Sequence, residues 1–193
     1  MVYLKLSDLE DDLRLGGYLA VFKNVTDNNL MTEYFFEPQG IHGLGHMKRV
    51  LFLNLILAYL ENLNLKDMNI LVNCSLLHDI GRINNHGDAV HGKFSYEKAV
   101  KNNLLEDIPK DEDSQITKFV ITTHCIDDGL ILSKINDCKG IEDKERALKL
   151  LKIFKDADGL DRVRFGGLDE RYLRTKHAPE LVLIAERLLN DIR

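Results

Sequence analysis

At 193 residues the chain is long enough to bury a substantial core, and one domain spanning 1–193 is the expectation. Apolar residues make up 45% and charged residues 30%, a globular balance that excludes a disordered or fibrous chain. A formal charge of −5 argues against a broad nucleic-acid-binding surface, and the three cysteines (Cys74, Cys125, Cys138) form no CxxC pair and suit a reducing compartment better than a disulfide framework.

Ser7 with Glu10 fits a capping box, predicting a helix to about Phe22 whose middle is weakened by Gly16-Gly17. Glu10, Asp11 and Asp12 make this region acidic, unlike a secretory leader. Thr26 to Gly40 reads as a loop, with Asn28-Asn29 and Glu37-Pro38 as breakers. Gly43 to Asn62 has a strong helical pattern. Val50, Leu53, Asn54 and Leu57 share a stripe with His46, which places His46 inward and Lys48 and Glu61 outward. The longest apolar run, Val50 to Leu60, is interrupted by Asn54 and is too short to span a bilayer. The expectation is a cytoplasmic, soluble protein with no membrane partner.

Asp67 is a candidate cap for the next helix, which ends in Cys74-Ser75-Leu76-Leu77-His78-Asp79-Ile80-Gly81-Arg82, with Gly81 expected to close it through a positive φ. Ile83 to Val90 reads as a loop and His91 to Leu105 as a helix, with Pro109 ending the connection after it. Asp111, Glu112, Asp113 and Ser114 enrich the first turn of a helix that reaches His124-Cys125. Asp127-Asp128-Gly129 is a turn, and the stretch to Gly140 has no defined pattern. Glu142 to Ala157 is helical, continued after a kink by Asp158 to Val163. Leu168 to Arg174 is a short helix, and Pro179 opens the last one, to about Asp191. The sum is an all-α, irregular helical bundle.

His78 and Asp79 are adjacent, so their side chains diverge by about 100° around the helix axis and can reach one cation off its edge. The negative end of the helix favours a cation there. His46 and His78 would each offer a nitrogen, and Asp79 and Asp158 an oxygen, giving four ligands from three helices. Two positions would remain for water and substrate. Imidazole with carboxylate suits Mn, Fe, Ni, Co or Zn, and water bound to such an ion loses its proton more easily. The alternatives are that His46 is a satisfied core histidine and Asp158 a helix cap, with Asp156 and Asp161 competing for the distal role. Arg49, Arg82, Lys93 and Arg162 are candidates for phosphate contact, as is Arg164. His42 could line the same cavity. His86 and His177 read as loop histidines, and Cys74 as core.

The order His46, then Leu76-Leu77-His78-Asp79-Ile80-Gly81-Arg82, then Ala157-Asp158-Gly159-Leu160-Asp161-Arg162 resembles the HD-domain metal-dependent phosphohydrolase superfamily, over about residues 41 to 164. The resemblance implies an all-α core with His46, His78, Asp79 and Asp158 as metal ligands. Asp158 is preferred over its neighbours because it follows Ala157 and precedes Leu160. It implies hydrolysis of a phosphomonoester, phosphodiester or phosphoanhydride in a small phosphorylated substrate, a nucleotide or related molecule. Asp79 would orient the attacking water. Some relatives hold a second metal through two further histidines in the interval where His91 and His124 fall. The resemblance thus allows these two to ligate a second metal bridged by Asp79; the alternatives are that they bind phosphate or protonate the leaving oxygen, or that they are merely packed. The Gly-Tyr-Pro element and the adjacent His-His pair of the cyclic-dinucleotide phosphodiesterases are absent. Glu106-Asp107 matches the Glu-Asp pair of the alarmone hydrolases only in its interval. A non-catalytic regulatory module and a di-iron oxygenase on the same fold are the alternative functions.

Overall fold

The computed structural model describes residues 3–28, 32–106 and 111–192. Asn29, Asp107 and Pro109, named above as breakers or motif residues, lie outside this set. Among the described residues the chain forms nine α-helices and no strand. They are α1 (Leu6–Leu15), α2 (Tyr18–Asn28), α3 (Leu44–Leu60), α4 (Leu65–Leu77), α5 (His91–Lys101), α6 (Glu112–Thr123), α7 (Ile131–Asp137), α8 (Lys144–Leu160) and α9 (Val182–Asp191). No helix among them is long and apolar enough to cross a membrane.

The centre of the bundle is α3, packed against α2, α4, α8 and α9. It is buried on almost every side, not along one stripe: Leu44, Met47 and the run from Arg49 to Ala58 are all out of water. A helix apolar all round belongs inside a bundle. Leu53 and Leu57 are fully buried, each contributing roughly 1.5–3 kcal/mol. Asn62 closes α3 with a left-handed φ of 52°, as helix ends often do. Asn54, fully buried in this helix, donates from Nδ2 to Ser75 Oγ, which donates to the Leu71 carbonyl.

Several expected boundaries move. The first predicted helix is two, because Gly17 takes φ +77°, a conformation that L side chains rarely adopt. Ser7 is not the cap of α1: it lies inside the helix, and the Lys5 N–H donates to Asp8. The predicted loop from Thr26 contains the end of α2 and a 3₁₀ turn at Thr32–Tyr34. Asn64, not Asp67, caps α4 by accepting the Asp67 N–H. Asp67 instead pairs with Arg146 of α8, which also reaches Asp113 of α6. The stretch before Gly140 contains α7. The end of α8 runs unbroken through Asp158 to Leu160 and only then tightens into a 3₁₀ turn, Asp161–Phe165.

Gly81 closes nothing by a positive φ. Its role is close approach: a Cβ there would lie 2.1 Å from the Ser95 backbone nitrogen. That contact lets Ser95 seal the turn after α4, donating from Oγ to the His78 carbonyl and accepting the Gly81 N–H. Gly81→Ala is therefore expected to push α5 off the His78-Asp79 turn and to cost about 1–3 kcal/mol, as overpacking does. Gly87→Ala, with nothing within 4 Å of its Cβ, is expected to be near neutral. Urea unfolding of the two variants beside the parent measures the difference.

Candidate functional site

Two helices end in the same way. His78 follows α4 as its C-cap, and His124 follows α6. In each, ring Nδ1 lies against the carbonyl three residues earlier: Ser75 O at 3.0 Å and Ile121 O at 2.8 Å. A carbonyl can only accept, so Nδ1 carries the proton and Nε2 carries a lone pair. The bond also satisfies a carbonyl left over at the helix end and fixes the ring. Two other histidines are held through carboxylates. His46 Nδ1 lies 2.7 Å from Asp161 Oδ2, and His91 Nδ1 lies 3.1 Å from Asp88 Oδ1.

All four rings are buried, and their Nε2 atoms converge. His46 Nε2 is 3.0 Å from His78 Nε2, and His91 Nε2 is 2.9 Å from His124 Nε2. Asp79 lies between the pairs. Its Oδ2 is 3.4 Å from His46 Nε2 and 3.0 Å from His42 Nδ1, and its Oδ1 is 3.3 Å from His91 Nε2. Asp158, on α8, brings Oδ1 to 3.3 Å from His46 Nε2. The structure thus gathers His46, His78, Asp79 and Asp158 at one point, from α3, the end of α4 and α8, with His91 and His124 beside them. Among the described residues three groups have ligand atoms close enough to share an ion: His46 with His78 and Asp158, His42 with His46 and Asp79, which overlap at His46, and, separately, His91 with His124 and Cys125.

The electrostatics agree with a centre made of acceptors. Burial pushes His78, His91 and His124 down to about 4, so each is neutral at pH 7. Burial and Arg164 also oppose charge on His46, but hydrogen bonds to Asp158, Asp161 and Asp79 override them and raise it to about 10. Burial likewise disfavours the Asp79 carboxylate, yet the surrounding histidines His78, His42 and His46 hold it well below its ordinary value. Asp158 behaves the same way, with burial opposed chiefly by His46. His46 Nε2 therefore faces His78 Nε2, Asp79 and Asp158 at 3.0–3.4 Å, and these donor atoms fit a divalent transition ion.

The expected basic residues divide. Arg49 does not face a phosphate position: Nε and Nη2 bind both oxygens of Asp161, and Nη1 donates to the Ile192 carbonyl. It is a buried structural partner. Lys93 is mostly exposed on α5, beside Glu97 at 3.7 Å, and does not line the cavity. Arg82 binds Asp79 Oδ1, the His86 carbonyl and His91 Nε2, so it braces the turn. Arg162 lines a cavity of about 540 Å³ together with Arg82, His91, His124, Asp158 and Tyr172.

Asp161 and Asp156 do not reach the centre. Asp161 holds His46, Arg49 and Arg164, and Asp156 accepts the backbone N–H groups of Arg174 and Thr175. Cys74 is core, near the Thr117 carbonyl. His177 pairs with Glu180. Sequence reasoning passed over Asp88, whose only signal was its place three residues before His91, and Cys125, which adjoins His124 but carries no recognisable spacing.

A family model described as HD domain matches residues 43–163, more than half of the chain. Neither a curated protein nor a solved structure matches. The matched region contains every one of the four converging histidines and both converging aspartates.

Asp161 and Asp158 sit three residues apart with opposite consequences. Asp161→Ala would leave Arg49 and Arg164 buried without their carboxylate, and is expected to destabilise the metal-free protein by about 3–5 kcal/mol. Asp158→Ala, whose carboxylate faces the cavity, is expected to cost about 1 kcal/mol or less. Chemical denaturation of both variants decides between these roles.

Proposed function

The chain belongs to the HD-domain family, and from that premise and the geometry of its centre we propose that it is a metal-dependent phosphohydrolase built on one domain, acting on a small phosphorylated compound. The observation that carries this reading is the convergence of four buried imidazole nitrogens and two carboxylates on one volume, with the Nδ1 contacts of His78, His91 and His124 leaving their Nε2 lone pairs directed into it. Such a set is expensive to bury without a cation.

His46, His78, Asp79 and Asp158 would hold the first ion. When bound, a divalent ion supplies Lewis acidity toward a phosphoryl oxygen and acidifies water. The chain's own groups position the rest. Asp79 accepts a hydrogen bond from the attacking water and aims it, and Arg82 keeps Asp79 Oδ1 in place. His91 and His124 stand on the cavity wall. Their neutral rings direct Nε2 lone pairs that can ligate a second ion; to protonate a leaving oxygen they would first have to take up a proton.

Charge in the cavity narrows the substrate. Lys155 is tied to Asp128, and Arg174 to Asp128 and Asp156. Arg162 has no ion pair among the described residues, so it is the lining cation free to meet a phosphoryl group. Leu168, Tyr172 and Leu173 give the wall an apolar and aromatic part suited to the organic moiety, such as a nucleobase. This wall lies beyond residue 163, outside the matched region. Three free thiols suit a cytoplasmic setting.

The test is metal analysis of the purified protein with a panel of phosphomonoesters, phosphodiesters and nucleotides. The expected result is a bound transition metal, hydrolysis of at least one phosphate compound, and loss of both in the His78→Ala, Asp79→Ala double variant. Retention of metal and turnover in that variant would overturn the reading. Arg162→Gln is expected to raise KM about tenfold, the loss of one charged hydrogen bond, with metal content unchanged.

A further inference from the structure

We propose that Cys125 supplies a thiolate ligand to a second cation site formed with His91 and His124, and that this sulfur gives the site a preference for a thiophilic ion such as zinc or cobalt. The inference rests on the metal-dependent reading above and goes further, to the donor set and selectivity of one half of the centre.

The geometry begins with His124. Its Nδ1 is committed to the Ile121 carbonyl, so its buried Nε2 is an acceptor. The atom facing that Nε2, at 2.9 Å, is His91 Nε2. His91 is in the same tautomer, because its Nδ1 lies against the Asp88 carboxylate. Arg82 donates to His91 Nε2 at 3.2 Å, but among the described residues no such donor reaches His124 Nε2. Two lone pairs therefore face each other out of water, an arrangement that a cation between them would satisfy.

Cys125 follows His124 directly at the end of α6. Its sulfur and one ring nitrogen of each histidine lie within 4.8 Å of one another. Ligands bound at about 2.0–2.3 Å to one ion are separated by up to roughly 4 Å, so an ion here requires the thiol to turn toward the two Nε2 atoms. Asp79 Oδ1, 3.3 Å from His91 Nε2, is placed to complete a set of two nitrogens, one sulfur and one oxygen. The neighbouring set of His46, His78, Asp79 and Asp158 has no sulfur. Sulfur favours zinc and cobalt over manganese and magnesium, so the two halves differ in preference. On loading, the Cys125 S–H bond breaks, its electron pair goes to the ion and the proton leaves to solvent.

The other thiols are not equivalent. Cys74 is in the core, and Cys138 follows α7 on another face. They serve as internal references.

The experiment is titration of the metal-free, full-length protein with cobalt(II), followed by absorption. The expected result is visible ligand-field bands plus a near-ultraviolet sulfur-to-cobalt charge-transfer band, with the charge-transfer band lost in Cys125→Ser and kept in Cys138→Ser. Cobalt bound without the charge-transfer band, or a band that survives in Cys125→Ser, would overturn this proposal while leaving the metal-dependent reading intact. Failure to bind cobalt, zinc or manganese at all would overturn both. A second measurement needs no variant: zinc should suppress alkylation of Cys125 in the parent protein, read by peptide mass, and leave Cys138 unchanged. Equal alkylation of Cys125 with and without bound zinc would also overturn the proposal.

Discussion

His46 Nδ1 and Asp161 Oδ2 lie 2.7 Å apart with both groups out of water, and the arrangement of the centre depends on that contact. A buried carboxylate is tolerated when its charge is paired and its oxygens are hydrogen-bonded. Asp161 meets both conditions through Arg49 of α3 and Arg164 of the 3₁₀ turn after α8. Arg49 also takes the carbonyl of Ile192, just beyond α9. The first histidine, the end of α8 and the end of the C-terminal helix are thus fastened at one carboxylate. Rotating His46 would break the short bond to Asp161, so its Nε2 stays aimed at His78, Asp79 and Asp158.

The opposite side of the centre is fixed by helix ends. A helix leaves carbonyls without partners in its last turn, and here those of α4 and α6 orient His78 and His124. Both termini also turn their negative ends toward the same place. At the end of α4 the close approach of Gly81 to Ser95 supplies further hydrogen bonds, to the His78 carbonyl and from the Gly81 N–H. The fold therefore spends its irregularities, the helix ends and tight contacts, around the site.

The all-α class and the HD resemblance were legible in the sequence, because a long apolar helix, a His-Asp dipeptide ending another and a distal Ala-Asp element survive as local patterns. Both hold. The structure brings His46, His78, Asp79 and Asp158 together, though spacing could not show their distances. What failed was what depends on partners distant in sequence. Arg49 lies one turn from His46, which is where a phosphate contact would lie, but Asp161, 112 residues away, claims it. Lys93 is two residues from His91 in the chain yet points to Glu97 and solvent. Gly81 looked like a helix stop, but its requirement comes from α5. The Gly16-Gly17 break was visible as a weakness and underrated, since only Gly17 takes the conformation that ends the helix.

Asp79 is the group through which the two halves of the centre communicate. One oxygen faces His42 and His46, the other His91 and Arg82. A carboxylate is rigid and planar, so a pull on one oxygen turns the other. Arg82 is bound to that second oxygen, to His91 and to the His86 carbonyl of the following loop. Occupation of the His91 and His124 side must compete with Arg82 for the same oxygen and the same nitrogen. The arginine that follows the His-Asp pair therefore orders this half, and a group binding there would have to displace it.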